Sequence, residues 1–215
     1  MLLSEILYPW PLKCACCGEP TGGDGPVCKG CLAKLEQDAA AHELAVGDLD
    51  YLAAAHPYAG PAGALVRMLK YRNVHCLAAD MAREMWAAAQ AAEFPRADVI
   101  TWVPMHWRRR WAKYFNQAEM LARHVSKQCH IPAKRLLKRV RRCKQQARLK
   151  GPAARYANVR GAFRARKSLT GQTVLLIDDV HTTGATAQAC ALALKQAGAE
   201  QVLLLTYCRV GADRE

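Results

Sequence analysis

Thr173-Val174-Leu175-Leu176-Ile177-Asp178-Asp179-Val180-His181-Thr182-Thr183-Gly184-Ala185-Thr186 is the stretch that decides the fold. Its first five residues form a continuous apolar run with no alternation, as in a parallel strand buried on both faces. Two adjacent acids end the run. Small hydroxyl residues and one glycine then lead into a helix expected over about 184–197, stopped by Gly198. In α/β sheets, ligands gather at the C-terminal ends of strands. A helix starting there presents unpaired N–H groups and a partial positive charge to a phosphate. Thr182, Thr183 and Thr186 add hydroxyl donors, and Gly184 lets the backbone approach closely. Asp178 and Asp179 would repel a phosphate, but they suit sugar hydroxyls. One loop thus reads phosphate at one end and a diol at the other, which is the anatomy of a ribose 5-phosphate. Other nucleotide fingerprints are missing: there is no G-x-x-x-x-G-K-[ST], and no G-x-G-x-x-G follows a strand. Three serines and no G-x-S-x-G argue against a serine hydrolase.

Further strands and helices are predicted to alternate around this segment. Gln201–Tyr207 repeats the buried-strand pattern, and Asp98–Val103 is a strand stopped by Pro104. Pro61 opens a helix carrying Leu65, Met68 and Leu69. Leu77, Met81 and Met85 give a longer one over 75–92, and Ala118, Leu121, Ala122 and Val125 share a face of a third from Phe115. Leu136, Leu137 and Val140 suit a short strand. Residues 36–50 read as a loop or short helix rich in acids, and 141–167 as basic, turn-rich and weakly patterned. The expectation is an α/β fold around a largely parallel sheet. With 215 residues, 52% of them hydrophobic, the chain can bury a real core. Its longest charge-free stretch, Tyr51–Val66, is broken by two prolines, so no membrane span is expected. The N-terminal residues lack a basic leader and a small-residue cleavage site, so the expected compartment is cytoplasmic.

Five of the ten cysteines fall in the first 31 residues. Cys14 and Cys17 give C-x2-C followed by Gly18; Cys28 and Cys31 give a second C-x2-C ten residues on. Paired thiolates at this spacing form two knuckles that close a tetrahedral zinc site. Four thiolates leave no open position, so the zinc would be structural. Cys16 leaves an alternative open, a C-x-C arrangement with Cys14. Residues 1–35 thus read as a small zinc ribbon ending in a helical turn, Leu32 to Leu35.

The formal net charge is +13, unevenly distributed. Residues 106–167 hold 20 of the 31 Lys and Arg but only one acid, Glu119. Such a segment attracts anions, either phosphorylated small molecules or nucleic acid. Trp107 and Trp111, set among Arg108, Arg109 and Arg110, could stack an acceptor base or single-stranded nucleic acid; Trp102 reads as core. His106 and His181 read as structural or solvent-facing rather than as general bases.

The segment 174–186 resembles the binding loop of type I phosphoribosyltransferases, which bind phosphoribosyl diphosphate (PRPP). The chain as a whole resembles the ComF family of competence-associated and GntX-like proteins, which join a four-cysteine zinc ribbon to a phosphoribosyltransferase domain. The resemblance runs through Leu69-Lys70-Tyr71-Arg72, Val103-Pro104-Met105-His106, Arg110, Phe115-Asn116-Gln117-Ala118-Glu119, and Gln146, Leu149, Arg155, Asn158 and Gly161-Ala162-Phe163. It also includes Cys14, Cys17, Cys28 and Cys31. The chain departs from the family where Asn73 replaces a usual glycine and where Lys113-Tyr114 replaces Arg-Gly beside the expected diphosphate loop.

The resemblance implies a Rossmann-like parallel sheet over 51–215, with 141–160 as a mobile basic hood. It implies that Asp178 and Asp179 hold the ribose hydroxyls, that Thr182, Thr183, Gly184, Ala185 and Thr186 wrap the 5-phosphate, and that Mg²⁺ bridges diphosphate and ribose oxygens. Lys70, Arg110 and Arg155 are the candidates to neutralise the leaving diphosphate. Two functions stay open. One is a Mg²⁺-dependent phosphoribosyltransferase with an unidentified acceptor, linked to DNA uptake. The other is a non-catalytic module that handles single-stranded DNA alongside competence proteins, with PRPP as regulator or not bound.

Overall fold

The computed structural model describes residues 13–21, 26–37, 41–71, 74–105, 115–141, 143 and 151–211. In chain order the elements are α1 (Lys29–Gln37), β1 (Ala41–Val46), β2 (Leu49–Pro57), α2 (Gly60–Tyr71), α3 (Leu77–Ala91), β3 (Val99–Trp102), α4 (Gln117–Cys129), β4 (Leu137–Arg139), α5 (Pro152–Val159), β5 (Phe163–Ala165), β6 (Thr173–His181), α6 (Ala185–Lys195) and β7 (Gln201–Arg209). Five strands form one sheet in the order β1-β2-β7-β6-β3. It is parallel except at its edge, where β1 runs antiparallel to β2. A separate antiparallel pair joins β4 to β5.

The two apolar runs become the centre of this sheet because both of their faces are covered. Leu175, Ile177, Leu203, Leu205 and Tyr207 bury against α2, α3 and α4, through Leu69, Met81, Met85, Leu121 and Val125. Val174, Leu176, Val202 and Leu204 bury against α6 and the small β4–β5 sheet, through Cys190, Leu194, Leu137 and Phe163. Each fully buried Val, Leu or Phe stabilises the fold by about 1.5–3 kcal/mol, so the sheet that carries Asp178 is anchored in the core on both faces. Trp102 is in the core, 3% exposed, as its place in β3 predicts. Asn116 fixes where α4 begins: its side chain accepts from the Ala118 N–H at 3.1 Å and donates to the Val103 carbonyl at 3.0 Å. The start of α4 is thereby tied to the end of β3.

Three local expectations change. Residues 41–57 form a hairpin with a tight turn at Gly47-Asp48, so 41–50 of the 36–50 segment is strand and turn, not a loop or short helix. β2 lies between β1 and β7, so its Ala53-Ala54-Ala55 run is buried on both sides and carries no period. Within 141–167 the structure forms α5, opened by Gly151 at φ 79° and Pro152, and β5. The strand through the acids continues to His181, because β7 extends alongside it to Arg209. Asp178 and Asp179 are therefore inside the ladder rather than beyond its end.

Candidate functional site

The four cysteines of the two C-x2-C pairs converge. The Sγ atoms of Cys14, Cys17, Cys28 and Cys31 all lie within 4.8 Å of one another. The Sγ atoms of Cys17 and Cys28 are 3.6 Å apart, close to the edge of about 3.8 Å that a tetrahedron with Zn–S bonds of about 2.3 Å requires. The Cys14 Sγ accepts from the backbone N–H groups of Cys16 and Cys28, each at 3.3 Å. Burial pushes the Cys14 thiol up, but backbone N–H groups more than offset this and hold it at about 6. The residues fit a metal such as zinc. Cys16 is not one of the four converging thiols; its Sγ donates to the Pro61 carbonyl at 3.7 Å. Cys14, Val27, Cys31 and Leu35 share a core with Ala62 and Leu65, so the ribbon is seated on α2.

At the C-terminal ends of β6 and β7 lies a cavity of about 370 Å³. Lys70, Arg155, Asp178, Thr182, Thr183, Gly184, Ala185 and Thr186 all line it, together with Tyr58, Tyr71, Leu204 and Thr206. A second cavity, about 400 Å³, lies between α3, α4 and the strands at Trp86, Phe94, Ile131 and Leu175, away from the strand C-termini. The first holds the helix start, two cations and the carboxyl. α6 begins at Gly184 with no side-chain cap, so its first N–H groups face the loop. Gly184 has φ 75°, and a Cβ there would stand 2.8 Å from His181 Nε2. An alanine at 184 would meet both the left-handed backbone penalty, about 1–2 kcal/mol, and the imidazole. Gly184→Ala is expected to lower stability by roughly 2 kcal/mol, read as a lower thermal midpoint; an unchanged midpoint would show that the loop relaxes freely.

The two acids face opposite ways, since consecutive strand residues alternate. Asp178 faces the cavity. Asp179 is 9% exposed on the other face and pairs with Lys70 Nζ at 2.8 Å. Burial pulls the Lys70 ammonium down, but the charges of Asp179 and then Asp178 outweigh it and the net shift is upward. Burial pushes the Asp178 carboxyl up to about 7; the Asp179 charge adds to this and Lys70 works against it. Although Asp178 is only half-buried by surface, its carboxyl is packed among protein atoms. The Lys70 backbone is held as well: Gln117 Nε2 donates to its carbonyl at 3.5 Å.

Sequence reading missed Tyr156, whose hydroxyl donates to the Thr183 carbonyl at 2.9 Å. α5, which carries Tyr156, is thereby fastened to the loop that opens α6. The Gly151-Pro152 helix start was the available signal. Arg141 is engaged with backbone: its guanidinium donates to the carbonyls of Asn158 and Arg160 at 3.0 and 2.8 Å. Arg110, His106, Trp107, Trp111, Lys113-Tyr114, Arg72-Asn73, Gln146 and Leu149 lie outside the described residues, as do Arg142 and 144–150 of the expected hood.

The chain is similar to known proteins. A phosphoribosyl transferase domain model matches residues 116–215. The DNA utilization protein YhgH of Escherichia coli (strain K12) is 30% identical over 157 residues, covering 71% of this chain and 69% of that protein. The chain belongs to the ComF family. Its Salmonella typhi relative, also named DNA utilization protein YhgH, is 29% identical over 201 residues, 91% of this chain and 83% of the relative. Competence protein F of Haemophilus influenzae is 28% identical over 153 residues, 67% of this chain and 66% of the relative. This ComF-family chain combines the four-cysteine cluster with a phosphoribosyltransferase-like α/β sheet. Among the described residues, no helix is long and apolar enough to cross a membrane.

Proposed function

We propose that this cavity binds PRPP with Mg²⁺ and that the chain transfers the phosphoribosyl group to an unidentified acceptor in the cytoplasm. One observation carries the reading: an uncapped helix start, a hydroxyl-rich loop, two cations and one carboxyl line the same cavity at the strand C-termini. The first N–H groups of α6, with Thr182, Thr183 and Thr186, would bind the 5-phosphate. Asp178 would orient a ribose hydroxyl. Lys70 and Arg155 would stand at the diphosphate, with Lys70 steadied by Asp179 and Gln117. Mg²⁺ fits here because the Asp178 carboxyl is costly to ionise where it stands, and a divalent cation relieves that cost. Bound with substrate and water oxygens, the ion would supply charge neutralisation for the leaving diphosphate. The chain's own part is positioning and charge stabilisation. Zinc in the four-cysteine site would serve folding of the ribbon, residues 1–35, beside a transferase domain over 51–215.

Calorimetry with PRPP and Mg²⁺, followed by a diphosphate-release screen over candidate acceptors, tests this. Saturable PRPP binding is expected; no binding of PRPP or ribose 5-phosphate would end the reading. Tyr156→Phe is expected to weaken PRPP about 2- to 10-fold, the worth of one neutral hydrogen bond that holds the loop. Unchanged affinity would show that α5 does not set the loop.

A second reading, handling of single-stranded DNA linked to DNA uptake and competence partners, is favoured by the basic excess over 106–167 and by the relatives' names. Oligonucleotide anisotropy across a salt series tests it. A log–log slope of about −0.7 per neutralised phosphate is expected, and no binding at low salt would remove this reading. Because Arg141 is held on Asn158 and Arg160, its substitution would perturb the end of α5 as well as charge.

A further inference from the structure

Thr206 interrupts the apolar run of β7. It is the register partner of Asp178 across the parallel ladder, so the two side chains share the cavity face of the sheet. Thr206 is among the residues that line the cavity, is 0% exposed, and its Oγ1 finds no hydrogen-bond partner among the described residues. Its ladder neighbour on the other side, Ala54, offers only a methyl group. A buried hydroxyl without a partner costs folding free energy that a valine of the same shape would not. A side chain kept at such a cost beside a functional carboxyl calls for a partner that comes with the ligand.

We propose that Thr206 is a ligand-contacting residue, whose hydroxyl and the Asp178 carboxylate together bind one ring hydroxyl of the ribose. This rests on the phosphoribosyl reading above. A sugar hydroxyl both donates and accepts. Here its proton goes to Asp178 and its oxygen accepts from the Thr206 O–H. The resulting chain, Thr206 to sugar to Asp178, is one in which each bond polarises the next. The same contact would favour a ribose over a sugar lacking that hydroxyl, with Thr206 adding to the selectivity of Asp178.

The test uses the full chain with Thr206→Val and Thr206→Ser, titrated with ribose 5-phosphate and with PRPP and Mg²⁺, and melted in parallel. Thr206→Val is expected to bind both ligands about 3- to 10-fold more weakly while its melting midpoint stays level or rises. Thr206→Ser, which keeps the hydroxyl, is expected to stay within about twofold of the wild type. Valine with wild-type affinity would overturn the assignment of Thr206 alone, as would a lowered midpoint with unchanged affinity. Should the valine variant not fold, Thr206→Ala takes its place against Thr206→Ser, with the same weakening expected. A wild-type chain that binds neither ligand would overturn the phosphoribosyl reading itself, and this proposal with it.

Discussion

Elemental analysis of freshly purified chain is expected to return one zinc per molecule, and Cys28→Ser is expected to abolish it. This is the largest effect the structure leads us to expect. Structural zinc supplies on the order of 10–16 kcal/mol of coupled folding energy, comparable with the whole stability of a typical domain. The loss should also reach beyond the ribbon, because Cys14, Val27, Cys31 and Leu35 cover the Ala62 and Leu65 side of α2. Cys28→Ser should therefore lower the melting midpoint of the remaining α/β fold as well. Purified protein without zinc would overturn the assignment; a Cys28→Ser chain that melts like the wild type would show that the metal is not needed for folding.

Separate substitutions of the two acids are expected to behave in opposite ways. Asp179→Asn leaves Lys70 mostly buried without its counter-ion, since the side chains of the pair are 28% and 12% exposed. Breaking such a pair costs about 3 kcal/mol, near the lower end for buried pairs. Asp178→Asn removes a carboxyl whose ionisation folding disfavours. Its folded pKa of about 7 lies above the ordinary 3.8, so its contribution to stability is fully present below about pH 4 and is lost as the pH rises to about 7. The asparagine variant should thus be as stable as the wild type at pH 4 and more stable at pH 8, yet should bind PRPP about 10-fold or more weakly if a charge-assisted hydrogen bond is lost. Denaturant unfolding at pH 4 and pH 8, with PRPP calorimetry, checks both. Equal destabilisation by the two asparagines would refute the division of roles. Because Asp179 is buried in the ladder and paired with Lys70, removing both acids together would confound a lost ligand contact with a broken ion pair.

What was legible in the sequence follows from how local the deciding physics is. The cysteine spacing, the apolar runs of β6 and β7 and the hydroxyl-rich loop each carry their meaning within one short stretch of chain. The hairpin at 41–57 does not, since β2 becomes a strand only because β1 and β7 flank it, and its Ala53-Ala54-Ala55 run has neither β-branching nor alternation. The extension of β6 through Asp178 and Asp179 likewise depends on β7, and it decides which acid faces the cavity. Tyr156 and Thr206 come to the site from elements far along the chain, so no spacing pattern could place them beside Thr183 and Asp178. Lys70 was legible as a cation near the site, but its pairing with Asp179 was not.

α2 connects the two ends of the molecule mechanically. It starts at Gly60-Pro61, where Cys16 touches the Pro61 carbonyl, and ends at Lys70-Tyr71 in the cavity wall. Its twelve residues span about 18 Å. The ribbon bears on one end of this rod, and the counter-ion of Asp179 hangs from the other. Any change of metal state that tilts α2 must move Lys70 relative to the sheet. Thermodynamic reciprocity then requires the influence to run both ways: stripping zinc with a chelator should weaken PRPP binding, and saturating PRPP should raise the chain's equilibrium affinity for zinc by the same factor.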